Sequence, residues 1–206
     1  MSHIPVGIRQ TQKQKTRQAL LDAALELLEG QSLSSLGLRE VTRAVGIAPT
    51  AFYRHFRSTA DLGVALVEEA LGSLHEMIGT TLAATGDSDE RIARTVDLIA
   101  VHVRTHAAHV RFIARERHGG VQPVRAAIGE QLDRFAEEVA VELAAHPESK
   151  GWSEDDMVML ARLYVDHMVM TASAFLEAEP GTEERVASLA RRQMRLVSLG
   201  RRHWLD

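Results

Sequence analysis

The sequence predicts an all-α protein of about nine helices, and three observations carry that prediction. Proline and glycine are sparse, five and 14 in 206 residues. Runs rich in Ala, Leu, Glu and Arg dominate, all of them good helix formers. Apolar residues recur at three- and four-residue spacing, and no stretch alternates as a half-buried strand would. With 45% hydrophobic and 25% charged residues the chain has ordinary globular composition, which excludes a disordered tail or a scaffold that needs cross-links.

The elements follow in order. The first helix is expected from Thr11 to Glu29, with Leu20, Ala23, Ala24, Leu27 and Leu28 on one stripe and Gly30 as its left-handed end residue. Gly37 and Glu40 have N-cap spacing, and Leu36 with Val41 can staple the start of a short second helix that Gly46 ends. Pro49 suits the opening turn of a third helix, Pro49 to Phe56, because its missing N–H would have had no partner there. Ser58 and Asp61 form the next start. From there Leu62, Leu66, Ala70, Leu74, Ile78 and Leu82 mark a long helix that Gly86 stops. Asp87 with Glu90 opens a helix from Ser88 to His106, followed by a shorter one through Arg117, and Gly119-Gly120 breaks the chain. Three more are expected: Val121 to Ala145, Glu154 to Glu177 behind the Ser153/Asp156 cap, and Thr182 to Trp204 after Pro180-Gly181.

Cysteine is absent, which removes a disulfide framework, a thiolate metal site and a cysteine nucleophile, and points to a reducing compartment, the cytoplasm. Met1 to Lys15 lacks an apolar core. The most apolar later run, Met157 to Leu176, is interrupted by Arg162, Asp166 and His167, so neither a signal peptide nor a membrane span is expected. Net charge is -4, an argument against a nucleic-acid partner only until the chain is divided. Residues 1–60 carry eight Lys or Arg (Arg9, Lys13, Lys15, Arg17, Arg39, Arg43, Arg54, Arg57) against four acids (Asp22, Glu26, Glu29, Glu40), a balance of +4 that leaves -8 on the remainder. That asymmetry marks a basic head on an acidic body.

Within the head, Leu38 to Phe56 reads as two short helices joined by a turn at Gly46 with a basic rim, as a helix-turn-helix requires. Phe52 and Phe56, four residues apart, can anchor the second of these, leaving Thr50, Ala51, Tyr53 and Arg54 elsewhere on its circumference. Small residues Ala48, Thr50 and Ala51 permit close approach to base edges, and N–H groups at the helix start can meet phosphate. Tyr53 and His55 can donate to backbone oxygens. Spacing alone fits a small helical corner with solvated charges as well.

Residues 1–60 resemble the DNA-binding domain of the TetR family of one-component bacterial repressors. The resemblance rests on Gly46-Ile47, Thr50 and the closing Tyr53-Arg54-His55-Phe56. More narrowly, Arg39-Glu40-Val41, Gly46-Ile47-Ala48-Pro49-Thr50, Phe52 to Arg57, Asp61-Leu62-Gly63 and Arg115-Glu116-Arg117 look like the DesT/FabR type of repressor of unsaturated fatty acid synthesis. The resemblance implies a TetR-like fold with a helix-turn-helix domain over residues 1–58 and a helical effector-binding and dimerisation domain over 59–206. It implies that Thr50 and its neighbours Ala48, Pro49 and Ala51 enter the major groove and that Tyr53 and His55 hold phosphates. Lys15 and Arg17 would grip the adjacent backbone, with Arg39 and Arg54 on the same rim. Two positions depart from the pattern. Thr59 stands where a lysine is common, so its phosphate contact passes to Arg57. Thr42 replaces a small alanine, and its hydroxyl either packs or reaches DNA.

The acidic body is then expected to hold an effector site whose occupancy alters the separation of two heads. Ile99, Val103, Phe112, Ile113, Leu132, Phe135, Met159, Leu163, Met168 and Met170 supply flexible apolar surface, although apolar residues at helical spacing equally describe plain core. The resemblance implies a regulatory ligand, a long-chain acyl-CoA, rather than a cofactor. Arg111, Arg115 and Arg117 are candidates for its phosphates, and a salt-bridged helix face explains them too. His102, His106 and His109 would fall within about 60 degrees of one helix face, a metal-collecting geometry, but no fourth acidic ligand or HExxH base accompanies them, and histidines that are exposed or bonded to a neighbour are the expectation. No nucleophile elbow or phosphate-binding glycine loop suggests catalysis.

Helix Glu154 to Glu177 is apolar around much of its circumference. Val186, Leu189, Ala190, Met194, Val197 and Gly200 form a second stripe, so these two helices are the expected homodimer surface. The resemblance implies a four-helix interface, and two-fold symmetry an approximately palindromic double-stranded DNA operator read in major grooves about 34–36 Å apart. The expected function is a ligand-responsive repressor of fatty acid unsaturation genes. The competing expectations are a TetR-type regulator of efflux or catabolic genes answering another hydrophobic small molecule, and a metal-dependent enzyme built on the histidines.

Overall fold

The computed structural model describes residues 6–82 and 87–205, and among them every regular element is helical, apart from connecting turns. Nine α-helices follow one another within those residues: α1 (Val6–Leu27), α2 (Leu38–Val45), α3 (Pro49–Phe52), α4 (Thr59–Leu82), α5 (Ser88–Thr105), α6 (Ala107–Glu116), α7 (Gln122–Ala144), α8 (Glu154–Glu177) and α9 (Glu183–Arg202). Helices α1 to α3 make the head. In the body α7 packs on α4 and α8, and α5 packs on α8 and α9. Among the described residues no helix is long and apolar enough to cross a membrane.

Local chemistry sets most boundaries. Glu40 accepts from the Gly37 N–H at 3.1 Å to start α2, and Gly46, at φ 74°, ends it in the left-handed region that a side chain disfavours. Ser58 Oγ accepts from the Asp61 N–H at 3.1 Å to cap α4, while Asp61 Oδ2 reaches one residue past the cap and accepts from the Arg57 N–H at 2.9 Å. Asp87 and Ser153 accept from Glu90 and Asp156 N–H groups, at 2.8 and 3.1 Å.

Three expectations need correction. Helix α1 begins at Val6 and ends at Leu27, and Gly30 does not adopt a positive φ. Its end is instead held from a distance. Arg115 donates to the carbonyls of Leu28 at 2.7 Å, Gln31 at 2.5 Å and Glu29 at 3.3 Å, and Glu116 accepts from the Leu33 N–H at 2.9 Å. Helix α3 closes at Phe52, and single turns carry the chain on, with the Phe56 N–H donating to Phe52 O at 3.1 Å. A 3-10 turn, Pro147–Ser149, was not expected and joins α7 to α8. The Gly86 stop, and the side chains of Leu74, Ile78 and Leu82, lie outside the described residues.

One hydrophobic cluster runs through head and body. It links Leu20, Ala24, Val41, Phe52 and Phe56 to Leu62, Leu66, Val124, Ile128, Phe135 and Val165. A second joins α5 to α9 through Ile92, Val96, Ile99, Val103, Phe175, Ala190 and Met194. Gly63 permits a close approach between head and body. A Cβ there would run into Leu33 and would stand 2.8 Å from Val124 Cγ2.

Candidate functional site

The head presents its polar groups around α3. Phe52 and Phe56 are buried, with ring centroids 5.6 Å apart. That anchor turns Tyr53 outward, 62% exposed, its ring edge-on to Phe52. Ala48, Pro49, Thr50, Arg54 and Arg57 are exposed beside it, as are Lys15 and Arg39, while Ala51 is half-buried. The Arg17 guanidinium lies 5.0 Å from the centre of the Phe56 ring, a cation–π contact that holds the cation at the rim. His55 is half-buried and its Nδ1 has no hydrogen-bond partner among the described residues. Burial, then the charges of Lys13, Arg17 and Arg54, push its imidazole below 6.5. A neutral ring keeps one N–H for donation.

Thr42 does not belong to this surface. It is 1% exposed, and its hydroxyl donates to Arg39 O at 3.3 Å. Of the two roles open to it, packing is the one realised, because its place on α2 faces the inside of the head.

The body encloses a cavity of ≈180 Å3 bounded by α4, α5, α6, α7, α8 and α9. Five of the expected effector residues, Ile99, Ile113, Leu132, Phe135 and Met168, line it. Val103 and Phe112 are buried beside it without reaching its wall. Met159 and Leu163 are 46% and 50% exposed on the outside of α8, so they face away from the cavity. The three arginines are also elsewhere. Arg111 pairs with Glu29 at 3.3 Å and Arg117 with Asp166 at 2.5 Å, and Arg115 clasps the end of α1. Their charges are engaged within the fold instead of at the cavity wall.

Sequence spacing missed the polar wall of the cavity: Ser88 and Arg91 of α5, Glu142 and His146 at the end of α7, Tyr164 of α8, and Ser198 and Arg201 of α9. Arg201 had a visible signal. It falls in register with Ala190, Met194 and Ser198, spaced four, four and three, all of them buried. At the other end of α5, His102 and His106 stack with centroids 4.6 Å apart, and His109 meets His106 edge-on at 6.1 Å. The helix break expected at His106 is present, φ there being -130°, so the trio does not lie on one continuous helix, and among the described residues no group of three or more His, Asp or Glu has a metal-binding arrangement. His109 Nε2 instead faces Glu69 Oε1 at 3.7 Å. Burial outweighs that carboxylate and lowers the His109 pKa. Glu69 in turn accepts from Gln18 of α1 at 3.0 Å.

Two helices therefore touch cavity and head alike. Ala70 and Leu71 of α4 line the cavity while Glu69 bonds to α1. His109, Val110, Ile113 and Ala114 of α6 line it while Arg115 and Glu116 hold the α1–α2 connection.

Comparison with known proteins places this architecture. Residues 20–66 match the family model described as bacterial regulatory proteins, tetR family. The fold is TetR-like. It is similar to that of a TetR-family transcriptional regulator from Syntrophomonas wolfei, with a TM-score of 0.74 and 15% identity over 91% of this chain and 96% of that one. It is also similar to FadR from Bacillus subtilis, whose structure is a complex with stearoyl-CoA (TM-score 0.69, 14% identity, 87% and 96% covered). A third similar structure is AibR in complex with isovaleryl coenzyme A and operator DNA (TM-score 0.64, 15% identity, 86% and 97% covered).

Proposed function

We propose that this chain is a homodimeric, cytoplasmic TetR-family repressor that binds an approximately palindromic DNA operator and answers a long-chain acyl-CoA, in control of unsaturated fatty acid synthesis genes. One observation carries the ligand response: the same two helices, α4 and α6, wall the apolar cavity and hold the head. A ligand that fills the cavity acts on the head only if it favours one placement of those helices over another. Stearoyl-CoA in FadR and isovaleryl coenzyme A in AibR support the choice of an acyl thioester, since both proteins share this fold. The basic head, the outward Tyr53 and the rim of Lys15, Arg17, Arg39, Arg54 and Arg57 support the DNA partner.

In this reading the head holds phosphates through Tyr53, neutral His55 and the cationic rim, and presents Thr50 with Ala48, Pro49 and Ala51 to base edges. No bond is made or broken. Regulation is a difference in operator affinity between liganded and free dimer.

The test is a titration of operator binding with saturated and with unsaturated long-chain acyl-CoA, at fixed salt. The expected result is a change in affinity that depends on the chain, of about five- to 150-fold in the coupled direction. Equal effects from both chains would remove the role in unsaturation. No effect from either, together with binding of an unrelated hydrophobic compound, would assign the cavity to efflux or catabolic control.

A further inference from the structure

One end of the cavity is polar in a specific way. Arg201 is only 5% exposed and donates to Leu143 O at 3.1 Å and to Ser149 Oγ, and its Nη1 stands 3.6 Å from Glu148 Oε2. Its Nε is buried with no hydrogen-bond partner among the described residues. A buried guanidinium N–H left unpaired is costly, and the deficit is removed when a ligand supplies an acceptor. Arg201 lines the cavity, and Arg91, His146 and Glu142 line the same end. The Ser88 and Ser198 hydroxyls, 2.7 Å apart, tie α5 to α9 beside them.

Burial keeps His146 neutral by lowering its pKa, and the charges of Arg91 and Arg201 add to that effect. The bond from Arg201 to Leu143 O sets it beside His146, and the Ser88–Ser198 contact brings the start of α5, with Arg91, to the same end. The opposite wall, at His102, lies eleven residues further along α5, about 16 Å away. Between the two ends the lining is mainly apolar, with Ile99, Leu132 and Phe135.

We propose that this end binds the carbonyl of an acyl chain, with Arg91, His146 and Arg201 Nε as donors and the hydrocarbon running toward α4 and α6. The assignment rests on the acyl-ligand reading above and adds the orientation and the residues that set it. Glu142 decides between two sources of the same carbonyl. In a coenzyme A thioester the carbonyl is followed by an amide N–H of the pantetheine arm, which Glu142 accepts. A free carboxylate offers no such donor and meets Glu142 as a like charge.

Affinity is measured by calorimetry for palmitoyl-CoA and palmitate, using the full chain and its Arg91→Gln, His146→Gln and Glu142→Gln variants, with thermal melting of each free variant as the check on folding. Arg91 and His146 are both half-buried, so their replacement leaves the packed core in place. Palmitoyl-CoA affinity should fall about tenfold in Arg91→Gln and in His146→Gln, the value of about one hydrogen bond. Glu142→Gln should narrow the preference for palmitoyl-CoA over palmitate. Wild-type binding that is unchanged within about twofold in both Arg91→Gln and His146→Gln overturns the assignment and leaves the acyl-ligand reading standing. If neither probe binds wild type, that reading falls and this one with it. If only palmitate binds, and weakens in Arg91→Gln, the carbonyl site holds and its source is the free acid.

Discussion

Phe52 is fully buried and Tyr53, next in the chain, is 62% exposed, so one step along a short helix separates the anchor of the head from its outer surface. The Phe52/Phe56 spacing made that division legible in the sequence. Thr42 was not legible, because a hydroxyl in a short helix fits either face until the neighbouring helices are placed. Arg115 misled for a related reason: its charge suggested an anionic ligand, and the fold supplies three carbonyls from the end of α1 instead. The outward Tyr53 gives the residue-scale prediction. Tyr53→Ala should weaken operator binding about tenfold across operator sequences by loss of a hydrogen bond to phosphate. Thr50→Val should change sequence preference and leave the salt dependence alone. Electrophoretic mobility shifts on an operator and on its base-substituted variants, at two salt concentrations, separate these effects. Normal binding by Tyr53→Ala at moderate salt would remove Tyr53 from the interface.

At the scale of elements, the starts of α2, α4, α5 and α8 were readable because each is capped by residues within four positions of it. The end of α1 was not, because its partners lie more than 80 residues away on α6. Glu116 is the buried half of that clasp. It is 1% exposed, and one carboxylate oxygen takes the Leu33 N–H while the other has no partner among the described residues. A Cβ at Gly119 would run into the same carboxylate, so glycine there keeps room for it. Glu116→Ala leaves the Leu33 N–H buried and unpaired, which should cost about 1–3 kcal/mol. The expected measurement is a lower denaturation midpoint with an unchanged m-value. Because α6 also walls the cavity, the variant should in addition lose part of the ligand's effect on operator affinity. Unaltered stability would show that the clasp contributes nothing to holding the head.

For the whole molecule, the net charge of -4 conceals a basic head on an acidic body, and the two parts share one hydrophobic cluster. The apolar excess of the last two helices was legible as an amount, but its direction was not. Ala190 and Met194, expected on the dimer stripe, point into the second core, and the outward apolar line of α9 is Leu189, Leu196 and Leu199. On α8 the outward residues are Met159, Leu163 and Met170. Six large apolar side chains on two packed helices form more exposed hydrophobic surface than scattered single residues would, and such surface marks a partner site. In the proposed homodimer, a two-fold axis through the α8–α9 pair would cover both lines with their own copies. Leu163→Glu combined with Leu196→Glu should therefore leave α8 and α9 folded, since both positions are exposed, while placing like charges across the proposed axis. Sedimentation equilibrium should then give the mass of one chain where wild type gives two. Operator binding should weaken well beyond the loss from Tyr53→Ala, because a lone head forfeits the effective concentration that its twin provides. A double variant that still sediments as a dimer would move the interface off this face, and with it the spacing of the two heads on which the operator geometry depends.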